Sequence, residues 1–232
     1  MKKLGVSTAL AVLTFSFLLW LSPLKAYAGS VTMTFTGVGP QDNNSGGVYT
    51  YPYDFTVTPT TGPSENLSLM CISFDKEIYL QNPYEYWTAN VVTASSLGAT
   101  DEEEAYLYSV AEANVSNNTV SGAANWADWA LEESNTLPGQ KSFLQSYIGT
   151  GTEYTDAVNY LNFSSVDLAE YANYLIYVPT TDGHSGDTDD KTPQTFVGAP
   201  APTPEPSSLV LLGSGLLAAA GALYRRKKQL TA

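Results

Sequence analysis

Cysteine, histidine and positive charge are all scarce in this sequence. Among 232 residues, cysteine occurs once, as Cys71, and histidine occurs once, as His184. One cysteine cannot form an internal disulfide, and one histidine cannot supply a multi-histidine zinc site. His184 lies in a stretch rich in glycine and aspartate, whereas a Ser-His-Asp triad needs a histidine held rigidly beside its nucleophile. We therefore expect no catalytic residue and no cofactor, and we predict that the protein is not an enzyme.

Basic residues are concentrated at the two ends of the chain. Between residues 29 and 203, three lysines stand against 22 acidic residues, which gives this segment a net charge of about −19. A surface of this charge repels phosphate groups and anionic lipids, so nucleic acid is excluded as a partner. The same surface suits a protein that stays soluble, binds cations or meets a basic partner.

One acidic stretch invites a metal-binding interpretation. Closely spaced aspartates with glycine can wrap Ca²⁺, and residues 182–190 contain four aspartates. The spacing of an EF-hand and its terminal glutamate are absent, so a solvated acidic loop is favoured and no metal site is predicted. A Ca²⁺-binding or carbohydrate-binding module stays open as an alternative function.

The amino-terminal 28 residues have the three parts of a secretory signal peptide. A basic start at Lys2 and Lys3 precedes an uncharged apolar region over residues 4–21. Ala26 and Ala28 then supply the small residues that signal peptidase requires before a cleavage point. The sequence predicts cleavage before Gly29 and export of the remainder.

A second uncharged apolar run lies near the carboxyl end. At about 1.5 Å per residue, residues 207–224 extend roughly 27 Å, barely enough for a hydrocarbon core of about 30 Å. The basic cluster that follows, which starts at Arg225 and Arg226, should stay in the cytoplasm. We therefore predict five segments: a signal peptide at 1–28, an acidic ectodomain at 29–196, a proline-rich linker at 197–206, a transmembrane helix at 207–224 and a basic cytoplasmic tail at 225–232.

The linker ends in Pro204, Glu205 and Pro206, directly before the apolar run. This order of Pro-Glu-Pro, short apolar helix and basic cluster resembles the PEP-CTERM sorting signal of Gram-negative, biofilm-forming bacteria. The resemblance covers residues 204–232 and implies that exosortase, a membrane peptidase, recognises the Pro-Glu-Pro residues. It further implies export across the inner membrane, anchoring by the helix, and a final place at the cell surface or in the extracellular matrix. A plain single-span anchor is the alternative.

The resemblance also implies a role for the ectodomain. We expect a structural or adhesive function in the exopolysaccharide or biofilm matrix, with an exopolysaccharide or a surface protein as the partner. Neither the sorting signal nor the charge identifies that partner.

The ectodomain is expected to be α+β, a β-rich sandwich or barrel with a helical insert. Alternating or β-rich runs predict strands at 31–36, 48–58, 67–74, 84–93, 171–178 and 194–197. Helices are predicted from Thr100, across 123–131 and from Pro138. Thr100 and Glu103 fit a capping box, and the acidic run Glu102 to Glu104 fits a helix start.

Cys71 and Asn125 form the last candidate pair. Cys71 alternates with Leu67 and Leu69, which predicts a buried position. Cys71 lies on a predicted strand, and the predicted helix that follows carries an amide side chain, Asn125, four residues before Trp129. This arrangement resembles the thioester domains of bacterial adhesins, whose second motif reads like TQLAIW. Over residues 67–134, this resemblance implies a bond between the cysteine sulfur and the amide side chain.

Two departures weaken the thioester pattern. Asn125 stands at the position of glutamine and is shorter by one methylene, about 1.5 Å. Asp128 stands where the motif has an apolar residue. We therefore expect a degenerate pair on a thioester-like scaffold without the crosslink, and a covalent adhesin that uses Cys71 is the alternative.

Overall fold

The computed structural model describes residues 29–39, 44–76, 85–180, 193–200, 213–216 and 219. All but the last five of these residues belong to one unit, residues 27–201, and the fold below is that of this unit alone. His184 lies outside the described residues, as do the predicted processing residues Ala26, Ala28, Pro204, Glu205, Pro206, Arg225 and Arg226.

Six strands form a barrel: β1 (Gly29–Val38), β4 (Tyr53–Pro59), β5 (Glu65–Cys71), β6 (Tyr86–Thr93), β7 (Tyr174–Pro179) and β8 (Phe196–Pro200). The strands β2 (Asn44–Ser45) and β3 (Val48–Tyr49) belong to a separate hairpin. The barrel closes in the order β1-β4-β5-β8-β7-β6, and each of these pairings is antiparallel. Apolar residues that face the interior alternate with residues that face outward: in β1, the side chains of Val31, Met33 and Phe35 are buried, while the residues between them face outward. The α+β prediction and its barrel form are confirmed.

Aromatic side chains fill the barrel interior. The ring centroids of Phe55 and Phe196 are 4.7 Å apart, and those of Phe55 and Trp87 are 5.7 Å apart in a T-shaped arrangement. All three side chains are fully buried. They come from β4, β8 and β6, so their packing joins strands that lie far apart in the chain.

The predicted strand at 48–58 is wrong because the segment divides at Pro52. A short hairpin, β2 (Asn44–Ser45) and β3 (Val48–Tyr49), precedes the break, and β4 follows it. Pro52 follows a cis peptide bond and has no N–H to donate to a ladder. The hairpin turns at Gly46, which has a φ of 59°. A Cβ on Gly46 would lie 2.7 Å from Cζ2 of Trp126, so this turn packs directly on a helix.

The helices lie between β6 and β7 in the chain. They are α1 (Ala94–Leu97), α2 (Ala99–Ala113), α3 (Asn118–Glu133), α4 (Leu137–Ile148) and α5 (Thr152–Tyr160), followed by 3₁₀ turns at Phe163–Ser165 and Leu168–Tyr171. Helix α3 is central, because ten consecutive residues from Ser121 to Ala130 are buried and α2, α4 and α5 all pack on it.

Two helical predictions fail in detail. Helix α2 begins at Ala99 after Gly98, without a side-chain cap, so the predicted capping box at Thr100 is wrong. Helix α5 was not predicted, although Tyr154, Ala157 and Val158 lie at i, i+3 and i+4 and pack on the core.

The part of the chain that the structure describes contains no helix long and apolar enough to cross a membrane. Of the predicted span at 207–224, residues 213–216 and 219 are described, and they are helical. The rest of that span and the basic tail at 225–232 lie outside the described residues.

Candidate functional site

Cys71 ends strand β5 inside the molecule. It is fully buried, and its sulfur donates a hydrogen bond to the carbonyl oxygen of Ser73 at 3.4 Å. Burial raises the pKa of the Cys71 thiol far above its ordinary value, although the bond to Ser73 and the nearby indole of Trp129 oppose the rise. The thiol is therefore protonated at neutral pH, and a protonated thiol is a poor nucleophile.

Asn125 occupies the middle of α3 and is also fully buried. Its side-chain oxygen accepts a hydrogen bond from the backbone N–H of Tyr51 at 2.9 Å. Its side-chain nitrogen donates to the backbone carbonyl of Cys71 at 2.8 Å. One amide thus satisfies two backbone groups, one in the segment before β4 and one at the end of β5.

The structure therefore brings together the two residues that the sequence paired. The contact described joins the Asn125 side chain to the main chain of Cys71, while the Cys71 sulfur donates to Ser73. A degenerate pair without a crosslink stays the prediction for Cys71 and Asn125, and a covalent bond between them stays the alternative.

We call the contact between the Asn125 side chain and the Cys71 main chain the junction. Two neighbouring carboxyl groups are buried near it, one on α3 and one on α2. Asp128, three residues after Asn125 on α3, is fully buried, and among the described residues neither of its carboxyl oxygens has a hydrogen-bond partner. Glu104 of α2 is 7% exposed, and its Oε2 likewise has no partner there.

The surroundings of these carboxyl groups favour their neutral form. Burial raises the pKa of Asp128 well above its ordinary value, and the charges of Glu104, Glu132 and Asp101 add to the rise. Burial likewise raises the pKa of Glu104, supported first by Asp101 and then by Glu132. Because two neighbouring carboxylates repel each other, this pair favours a state that retains at least one proton.

The sequence analysis missed this carboxyl pair. It assigned Glu104 to the start of a helix, but the first turn of α2 contains Asp101 and Glu102, and Glu104 faces inward. The available signal was Asp128, an ionisable residue within the otherwise apolar run of α3.

Aromatic rings enclose the outer side of the junction. The ring centroids of Trp126 and Trp129 are 4.9 Å apart, and that of Phe74 lies 5.2 Å from Trp129. Both tryptophans are buried. Both pack as core residues, and the indole of Trp129 lies next to the Cys71 thiol.

The chemistry available at the junction is limited. It offers a protonated thiol, an amide engaged in two hydrogen bonds and a carboxyl pair that retains at least one proton. The described residues include no cluster of three or more His, Cys, Asp or Glu side chains that could hold a metal ion. The arrangement is that of a polar connection between α3 and the barrel.

Comparison with known proteins identifies one segment of the chain. Residues 202–227 match the PEP-CTERM protein-sorting motif, which includes the Pro-Glu-Pro residues and the first basic residues after the apolar run. No curated protein and no solved structure matches the chain. The motif implies an exported, extracellular protein that exosortase processes at the membrane. The resemblance of residues 67–134 to thioester domains has no support from these comparisons.

Proposed function

We propose that the ectodomain, residues 29–196, is a non-catalytic structural or adhesive component of an exopolysaccharide or biofilm matrix. The sorting motif at residues 202–227 carries the proposal, because it assigns the chain to export and to exosortase. The net charge of about −19 between residues 29 and 203 supports it, since a strongly charged protein stays soluble in a crowded matrix.

The delivery route follows from the order of the segments. Signal peptidase removes residues 1–28 after Ala28, and the helix at residues 207–224 then holds the protein in the inner membrane of a Gram-negative cell. Exosortase recognises Pro204, Glu205 and Pro206 in the extracytoplasmic linker, while Arg225 and Arg226 keep the tail in the cytoplasm. Processing releases the ectodomain to the cell surface or matrix.

A test of delivery compares Glu205→Ala with Thr203→Ala, a matched change in the same linker. In cells that contain exosortase, the wild type and Thr203→Ala should appear in the matrix fraction. The Glu205→Ala protein should stay in the membrane fraction. Equal release of all three proteins would show that exosortase does not read this motif here.

The matrix role needs a separate measurement. Deletion of the gene should reduce matrix polysaccharide retained on the cells and reduce their attachment, and the wild-type gene should restore both. If delivery is normal but deletion changes neither quantity, the structural or adhesive role is wrong while the sorting assignment stands.

A covalent adhesin is the second candidate, favoured by the contact between the Asn125 amide and Cys71. Thioester formation would join the Cys71 sulfur to the Asn125 side-chain carbonyl and release one ammonia. Intact mass of folded protein checks this: a mass lower by one ammonia would establish the bond, and methylamine should convert it to a mass one CH2 group above the unmodified value, with release of a free thiol. We expect the unmodified mass and one thiol. The alternative of Ca²⁺ binding depends on residues 182–190, which lie outside the described residues, and calorimetry with Ca²⁺ tests it.

A further inference from the structure

The outward face of β1 is a row of threonines. Thr32, Thr34 and Thr36 alternate with the buried residues of the same strand. Threonine is β-branched and suits a strand, and at these positions its hydroxyl faces outward from the barrel.

The strand register extends this row across four strands. Thr32 lies between Thr88 of β6 and Thr58 of β4. Thr34 pairs with Thr56 of β4. Farther across, Asn66 of β5 pairs with Thr56, and Ser68 pairs with Asp54. We call these nine residues the hydroxyl face: Thr32, Thr34, Thr36, Asp54, Thr56, Thr58, Asn66, Ser68 and Thr88.

The hydroxyl face contains one ionisable residue among its nine, Asp54, and no basic residue. Residues 29–203 as a whole carry a net charge of about −19. The Asp54 carboxylate accepts a hydrogen bond from the Ser68 hydroxyl at 2.7 Å. A polyanion gains nothing from such a face, while a neutral partner meets little unpaired charge on it.

A depression of about 390 Å³ lies on this face, within the size range of small-molecule sites. Its lining includes Thr36, Asp54, Thr56, Asn66 and Ser68. Hydrogen bonds fix the polar groups around it. The Thr36 hydroxyl donates to the Asp54 carbonyl at 3.0 Å, and the Thr56 hydroxyl donates to the Asn66 side-chain oxygen at 2.9 Å.

These internal bonds determine what the depression recognises. A hydroxyl that donates its one hydrogen to the protein presents its lone pairs outward as acceptors. Thr36, Thr56 and Ser68 are all in this state, and the amide of Asn66 adds N–H donors. A ligand with many hydroxyl groups and no charge complements this set.

We propose that the hydroxyl face is a binding site for a neutral polysaccharide, with sugar units seated in the depression between β1, β4 and β5. Neighbouring strands are about 4.8 Å apart, so the threonine rows offer a regular series of polar contacts to a chain laid across them. The polysaccharide bound at this site is the partner that the matrix role requires, and in that respect the proposal rests on the proposed function.

Affinity electrophoresis of the full-length protein in mild detergent tests the site. The gels contain dextran, a mixed-linkage β-glucan or galactomannan as neutral probes, and alginate as the anionic probe. The wild type should be retarded by at least one neutral polysaccharide and not by alginate. Thr56→Val combined with Asn66→Ala should weaken that retardation about tenfold, because two hydrogen-bonding groups are lost.

The matched control combines Thr119→Val with Asn159→Ala, an exposed threonine and an exposed asparagine on the helices. It should bind as the wild type does. Binding to no neutral polysaccharide, equal retardation by alginate, or equal weakening in the control would each overturn the proposal. If binding is as expected but gene deletion leaves the matrix unchanged, the matrix role alone fails. If deletion reduces the matrix but no neutral polysaccharide binds, this site alone fails.

Discussion

Replacing Asn125 with alanine should detach the central helix α3 from the barrel at two points. The change removes the partner of the Tyr51 N–H and the partner of the Cys71 carbonyl, both in a fully buried position. A buried polar group left without a partner costs about 1–3 kcal/mol, so two of them cost about 2–6 kcal/mol. Because a typical domain has a stability of about 5–15 kcal/mol, this is a large fraction of the whole.

Urea unfolding of the secreted protein at 25 °C, followed by tryptophan fluorescence, measures this cost. The slope with urea should be unchanged, so that the shift in midpoint reports stability alone. Asn159→Ala, an exposed asparagine on α5, is the matched control and should change stability by less than about 0.5 kcal/mol. A cost below about 1 kcal/mol for Asn125→Ala at constant slope would refute the reasoning.

Asn125→Asp adds a second test of the same contact. The new side chain can still accept from Tyr51, but an ionised oxygen would then face the Cys71 carbonyl. Protonation restores a donor, so the variant should be unstable at pH 7 and recover in part near pH 5. Equal destabilisation at both pH values would argue against the contact.

Three further predictions concern neighbouring groups. Because the pKa of Asp128 is raised in the folded state, the folded protein keeps a proton on this carboxyl that the unfolded chain releases above about pH 4. The free energy of unfolding should therefore fall as the pH rises from about 4 towards the pKa of Asp128 in the folded protein. Asp128→Asn should flatten this slope in pH-dependent thermal unfolding, and an unchanged slope would count against a buried proton. The Cys71 thiol, fully buried, should react with a thiol reagent in urea but not in buffer, and rapid reaction of folded protein would contradict its burial. Gly46→Ala should destabilise by about 1–3 kcal/mol, because it combines a positive φ with a close contact to Trp126, and a neutral result in urea unfolding would show that the turn can move away.

Local pattern predicted much of the fold. Strict alternation identified β1 and placed Cys71 on a buried face, and the helical period of the apolar residues located α3. The same reasoning failed at Pro52, where one long β-rich run divides into two strands, because residue type alone does not show where a strand leaves its ladder. It also missed α5, a helix of nine residues whose apolar stripe is short: Tyr154, Ala157 and Val158.

The candidate site depended on contacts between distant parts of the chain. The pairing of Cys71 with Asn125 came from a motif resemblance, but the role of Tyr51 could not be read from sequence, since it is 74 residues from Asn125. Glu104 was assigned to a helix start because acids there are usually solvated. Its burial follows from the packing of α2 on α3, which no local pattern encodes.

Closure of the barrel has a consequence for a protein that accumulates outside the cell. An open sheet offers an unpaired strand on which another copy can add, and repetition of that step yields fibres. Here β1 bonds to both β4 and β6, and the ring of six strands is complete. Among the described residues, the unpaired margins include those of the two-residue hairpin of β2 and β3 and the parts of β5 and β8 beyond their two paired positions, Met70 with Val197 and Cys71 with Phe196. Crowded copies of this domain therefore have only short stretches of backbone available for strand addition, which favours association through side chains on the surface.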